Sequence, residues 1–192
     1  MYKTTLKALN VLNIKAVIKE KEFNRMIGAH FINIFNELKI VVKDVNQFID
    51  IYKGFYFDFI DDSKFYPGVI EILQYLQQKN IYISLLTTKS QDQAEKIIKH
   101  FNLDKYFNFI MGRRDGIGHK PSAEPLLFIC KNIDVKPEET LIAGDTELDI
   151  LCGKSANALT CAVTYGYRTK EILEEHKPDY TISDLLELKE IV

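Results

Sequence analysis

The chain has 192 residues, 46% of them hydrophobic and 27% charged, with a formal net charge of -2. That composition suits a globular protein with one core and room for a small second lobe. It carries no global signal for nucleic acid or an anionic membrane surface, so neither is expected as a partner. The three cysteines, Cys130, Cys152 and Cys161, lack metal-ligand spacing and read as small buried hydrophobes in a reducing, cytoplasmic setting. No apolar run approaches the ~18 residues of a membrane span. The opening "MYKTTLKALNVL" shows no apolar region followed by a small-residue cleavage site, and is read as something other than a signal peptide.

Residues 1 to 65 read as helical. Leu6, Leu9 and Leu12 share a helical face, as do Phe31, Ile34, Phe35 and Leu38, then Val45, Phe48, Ile49 and Tyr52. The aromatic stretch "FIDIYKGFYFDFIDD" is read as packing between helices. From "YPGV" at 66 onward, short apolar strands alternate with amphipathic helices. The helix "GVIEILQYLQQKN" turns Val69, Ile72, Leu73 and Leu76 inward, and the strand "IYISLL" follows. Ser90 is placed to cap a helix whose inner face is Ala94, Ile97, Ile98 and Phe101. Strand "FNFIMG", helix "EPLLFICKN", strand "TLIAG", helix "TELDILCGKSAN", strand "ALTCAVTYG", strand "YTIS" and helix "DLLELKEIV" complete the chain. Strands separated by helices of this length predict right-handed crossovers and a parallel sheet. The expected fold is doubly wound α/β for residues 66–192, with a helical lobe in residues 1–65.

In such sheets ligands bind at the carboxyl ends of the strands. Three polar clusters fall there: Thr87-Thr88-Lys89-Ser90, Lys120 before Pro121, and Asp145 with Asp149 one helical turn on. Each has a plain structural use. The threonines suit a helix start, Lys120 a solvated loop, and the aspartates a cap with a favourable helix dipole. Taken together they divide into complementary roles. Hydroxyls and N–H groups at a helix start hold phosphate, a lysine neutralises a phosphoryl oxygen, and a carboxylate pair holds Mg²⁺.

The order hhhT(T/N)K, an isolated Lys-Pro, then Gly-Asp-x-x-x-Asp resembles three motifs of the haloacid dehalogenase superfamily. "HKPSAEPLL", "AGDTELDILCGKSANALTCAVTYGYR" and "KPDYTISDLLEL" are similar to its phosphoglycolate-phosphatase branch, and residues 1–65 resemble that branch's four-helix cap. The resemblance covers essentially the whole chain. It implies a Mg²⁺-dependent phosphatase acting on a small phosphomonoester, phosphoglycolate being representative. Thr87 and Lys120 would be catalytic, Thr88 would hold the substrate's phosphoryl group through its backbone, and Asp145 and Asp149 would serve the metal. Arg25 and His30, in "RMIGAHF", would face the substrate from the cap. Arg113 or Arg114 would reach an anionic substrate, in a loop otherwise read as solvated. His100, His119 and His176 receive no role.

The family's N-terminal strand ending in D-x-D-G-T/S has no counterpart among these residues, and no D-x-D occurs in them. The resemblance makes the first aspartate of that motif the nucleophile, so the chain as it stands is expected to be inactive. The family's strand lies between "IYISLL" and "TLIAG", so both are expected to carry unpaired inner edges. Three accounts stand open: a longer protein begun at an internal methionine, a non-catalytic phospholigand-binding or regulatory member, and a fragment completed by a strand-donating partner or homo-oligomer. A sugar phosphomutase is a further alternative, disfavoured by Ala29-His30 where Ser-Arg is expected after the glycine.

Overall fold

The computed structural model describes residues 1–192 and divides into two compact units, Met1–Phe65 and Tyr66–Val192. The first unit contains α1 (Tyr2–Val11), α2 (Glu20–Asn24), α3 (Phe31–Glu37), α4 (Val45–Phe55) and a 3₁₀ helix at Tyr56–Asp62. Asp44 caps α4, its carboxylate accepting the Gln47 N–H at 3.0 Å. Aromatic rings form the interior: Phe48 meets Phe31 and Phe35 edge-on at centroid distances of 4.9 and 4.8 Å. The packing read from the aromatic stretch is therefore present, but α1 differs from expectation. Its buried face is Thr4, Thr5, Ala8 and Leu9, while Leu6 and Leu12 are only half-buried.

The second unit contains α5 (Val69–Gln78), β1 (Ser84–Ser90), α6 (Gln91–His100), β2 (Phe109–Arg113), α7 (Glu124–Ile133), β3 (Leu141–Gly144), α8 (Glu147–Ser155), β4 (Leu159–Val163), α9 (Lys170–Glu175) and β5 (Tyr180–Ile182). All strand pairs are parallel. The strands form two sheets, β1-β2 and β3-β4-β5. Helix α5 packs on both. Leu73 joins a cluster with Ile83 against which Leu85 packs, and Ile72 joins one with Cys161 and Val163 against which Leu141 packs. On the other face, Leu126 and Cys130 of α7 cluster with Ile142, and Leu86 packs against them. No helix is long and apolar enough to cross a membrane.

Several local expectations are corrected. Strand β1 starts at Ser84, where pairing with Phe109 begins, and runs through Thr87–Ser90 with an irregularity between Leu86 and Ser90. Ser90 occupies the N-cap of α6, yet its buried hydroxyl makes no cap hydrogen bond and lacks a partner. The terminal segment is a 3₁₀ helix, Leu185–Glu190, because Asp184 and Glu187 form a capping box that tightens the turn.

Helix α8 lies close on its sheet at Gly153. An added Cβ there would sit 2.4 Å from Ile142 Cγ2 and 2.5 Å from Thr160 Cγ2. Gly153→Ala is expected to cost about 1–3 kcal/mol, overcrowding outweighing the gain in helix propensity. Gly54→Ala in α4, where a Cβ meets nothing within 4 Å, is expected to stabilise by roughly 0.5–1 kcal/mol. Urea titration of both variants checks the pair, and a stabilising Gly153→Ala would contradict the close approach.

Candidate active site

Lys120 is the hinge of the site. Its Nζ donates to Asp149 Oδ1 at 2.5 Å and to the carbonyl of Leu86 at 3.3 Å. Both charged side chains are only 9% exposed. Lys120 therefore ties the middle of β1, next to Thr87, to the first turn of α8, just beyond β3. The other oxygen of Asp149 accepts from Thr146 Oγ1 at 2.7 Å and Thr146 N at 3.1 Å, closing a capping box on α8. The N-cap is thus Thr146 rather than Asp145, Asp149 sits in the first turn as expected, and protein donors engage both of its oxygens.

Asp145 sits one residue before that cap. Its Oδ2 accepts the Tyr167 N–H at 2.8 Å. Burial pushes its carboxyl above the ordinary range, the Tyr167 bond opposes this, and the nearby Asp149 charge raises it further. Gly166 makes this packing possible, because a Cβ there would lie 2.1 Å from Asp145 Oδ2. Tyr66, Tyr165 and Tyr167 surround the same carboxylate. Burial raises all three phenols, Tyr165 to about 12, and the Asp145 charge adds to each. The segment carrying Tyr165 and Tyr167 is held by Arg168, whose Nε and Nη2 donate to Glu147 at 2.7 and 3.2 Å.

Thr87, Gly112, Arg113, Gly118, His119 and Lys120 line a crevice too tight to admit a water molecule. The Thr87 hydroxyl accepts the Lys89 N–H at 3.3 Å. Thr88 is half-buried in β1 beside it. Burial brings the Lys89 ammonium down to about 8. The structure therefore gathers Thr87, Lys120, Asp149 and Asp145 at one sheet edge. Arg113 and His119 lie beside Thr87 and Lys120 at that crevice, Arg113 as the last residue of β2 rather than in a loop and His119 exposed. Arg114 turns away, donating to Gln91 Oε1 at 3.0 Å and lying over the Phe109 and Phe128 rings. Arg25 and His30 belong to the other unit, where they are exposed, at the end of α2 and the start of α3 respectively.

The fold and site thus define a parallel α/β protein in which a buried lysine ties the first strand to one of two neighbouring aspartates. The family model for haloacid dehalogenase-like hydrolases matches residues 1–163. Pyrophosphatase PpaX of Bacillus mycoides is 31% identical over 175 residues, which are 91% of this chain and 80% of that protein. Phosphoglycolate phosphatase of Haemophilus influenzae is 28% identical over 151 residues, 79% of this chain and 66% of that protein. A solved haloacid dehalogenase-like family hydrolase of Streptococcus pneumoniae has a TM-score of 0.87 at 21% identity, covering 99% of this chain and 89% of that one. The chain belongs to the haloacid dehalogenase-like hydrolase family, in its phosphoglycolate-phosphatase-like branch.

Proposed function

We infer that this site binds the phosphoryl group of a small phosphorylated metabolite beside Mg²⁺, as the anion- and metal-binding part of a phosphatase. The observation that carries the reading is Lys120 joining the Leu86 carbonyl, beside Thr87, to Asp149, beside Asp145. The donor set fits Mg²⁺. The ion takes hard oxygens, keeps several waters and uses one or two carboxylates plus substrate phosphate. Asp145 is a half-buried carboxylate whose ionised form a neighbouring dication would stabilise. Asp145 is the direct ligand in this reading, and Asp149 supports it while holding Lys120. When bound, the metal supplies charge neutralisation at a phosphoryl oxygen. Thr87 and the Thr88 N–H orient the anion, and Lys120 offsets its charge.

No group of three or more His, Cys, Asp or Glu side chains is arranged to hold a metal ion by itself. The resemblance places the attacking aspartate in a segment with no counterpart among these residues, so residues 1–192 alone are expected to hydrolyse phosphomonoesters near the background rate. The substrate class is a phosphomonoester of phosphoglycolate size. The free, buried cysteines support a reducing, cytoplasmic location. Arg25 and His30 remain candidates for contacting the leaving group.

Calorimetric titration of orthophosphate and pyrophosphate tests the site. Both anions are expected to bind more tightly with Mg²⁺, and Asp145→Asn to remove the Mg²⁺ effect. Lys120→Ala is expected to weaken binding roughly ten- to a hundredfold, as loss of a charge-assisted contact does. Binding indifferent to Mg²⁺ and to Asp145→Asn would defeat the assignment. Turnover of p-nitrophenyl phosphate by these residues at ordinary enzyme rates would defeat the expectation of inactivity.

A further inference from the structure

Arg168 and Glu147 form a shielded ion pair. Arg168 Nε donates to Glu147 Oε2 at 2.7 Å and Nη2 donates to Oε1 at 3.2 Å, so the guanidinium grips both oxygens. The two side chains are 10% and 27% exposed, against 59% and 51% for the nearby Lys170–Glu174 pair. A pair this dry and this well aligned keeps its geometry, where a solvated pair does not. Glu147 is the first residue of α8, two positions after Asp145. Arg168 stands just before Thr169, the N-cap of α9. The pair therefore ties the segment leaving β4 to the helix that follows Asp145.

Residues 164–168 make a strap pinned at both ends. At one end the Thr164 N–H and hydroxyl donate to the Ile182 carbonyl at 3.0 and 3.1 Å, fixing the strap to β5. Tyr165 adds apolar packing against the cluster that holds Val163 and Ile182. At the other end Arg168 grips Glu147. Between the pins the strap meets Asp145. The Tyr167 N–H donates to its Oδ2 at 2.8 Å, and Gly166 runs so close that a Cβ there would fall 2.2 Å from Asp145 Cβ. That carboxylate has reason to be held. It is half-buried next to the like charge of Asp149, and two carboxylates in such proximity repel each other. Lys120 bonds Asp149; the strap restrains its neighbour.

We propose that Arg168 is a positioning residue for the metal: by gripping Glu147 it clamps the strap of residues 164–168 against Asp145 and keeps that carboxylate in the orientation that takes Mg²⁺. The inference rests on Asp145 being the direct ligand of the ion. The sign of the effect separates a clamp from simple electrostatics. An arginine near a cation site repels the cation, so by charge alone its removal would tighten Mg²⁺ binding. A clamp predicts the opposite, because partners that orient a ligating carboxylate typically contribute roughly ten- to a hundredfold in metal affinity. Lysine is a poor substitute, since a single ammonium lacks the planar fork that meets both Glu147 oxygens.

Calorimetric titration of Mg²⁺ into the 192-residue protein, with orthophosphate present, tests the clamp. Arg168→Met is expected to weaken Mg²⁺ binding about tenfold. Arg168→Lys, which keeps the charge but not the fork, is expected to weaken it roughly threefold. Ile98→Val removes a buried methyl from the cluster holding Leu73 and Ile83, so it destabilises the same unit. It should leave Mg²⁺ affinity unchanged. Amide exchange adds a signature that needs no metal. The Tyr167 N–H should exchange about tenfold faster in Arg168→Met, while the Thr146 N–H, held by Asp149, keeps its rate. The proposal is overturned if Arg168→Met binds Mg²⁺ as tightly as the parent or more tightly, or, where that variant does not fold, if Arg168→Lys does. Unchanged exchange at Tyr167, or equal weakening in Ile98→Val, overturns it too. A parent protein that binds no Mg²⁺, or whose Mg²⁺ binding survives Asp145→Asn, overturns the metal assignment itself and the clamp with it.

Discussion

Asp149→Ala is expected to destabilise the Tyr66–Val192 unit by about 3 kcal/mol or more, because it strands a buried ammonium. Lys120 is 9% exposed and its partners are Asp149 and one carbonyl. Without the carboxylate the cation stays in a site too dry to solvate it. The same change opens the capping box on α8, adding about 1 kcal/mol. Lys120→Met should be milder, about 1–2 kcal/mol. It leaves Asp149 with two donors from Thr146 at the positive end of a helix. The double variant separates the terms. Removing both partners should cost less than Asp149→Ala alone, since no unpaired charge remains. Guanidinium unfolding of the three variants decides it. A loss under about 1 kcal/mol in Asp149→Ala, or a double variant worse than that single one, would show that the pair is solvated in practice.

The sequence shows the alternation of strands and helices after residue 66 because buried parallel strands are runs of apolar residues, and those runs survive as visible blocks. Helix α9 is not among the elements read from the sequence. It is six residues long and buries only Leu173, so no periodic stripe can form. The buried face of α1 is misread for a related reason. Thr4 and Thr5 are fully buried, and hydropathy places threonine outside. Within the site, Thr87, Lys120, Asp145 and Asp149 are legible from residue type and order. What surrounds them is not. Tyr167 and Gly166 lie about twenty positions beyond Asp145, and only the pairing of β3 with β4 returns them to its carboxylate. Asp145 with Asp149 is legible equally as a helix start and as a metal pair, and Thr146 is the residue that caps α8. The structure shows that one carboxylate serves the cap and the lysine at once. Arg113 and Arg114 are adjacent in sequence but placed differently: Arg113 ends β2, and Arg114, just past it, donates to Gln91 Oε1.

Phe48→Ala is expected to cost about 3–5 kcal/mol, the range for deleting a buried aromatic ring. Phe48 is fully buried and meets Phe31, Phe35 and Tyr52 at centroid distances of 4.9, 4.8 and 6.1 Å. Its neighbours are themselves large rings anchored on α3 and α4, so they cannot close the void without leaving their rotamers. A unit the size of residues 1–65 has only about 3–10 kcal/mol of stability in total. One ring is therefore a large fraction of what holds it folded. Phe48→Leu, which keeps most of the volume, should lose no more than about 1.5 kcal/mol. Ile32→Ala, at a residue 53% exposed, should stay within about 0.5 kcal/mol. Far-UV circular dichroism and amide spectra read the outcome. Phe48→Ala should lose helical signal and dispersion in residues 1–65. The amides of Asp145, Thr146 and Tyr167 should keep their positions, since their contacts to one another lie within the Tyr66–Val192 unit. If Phe48→Ala costs no more than Phe48→Leu, the aromatic cluster is loose enough to refill the space, and the ring geometry is not what stabilises this unit.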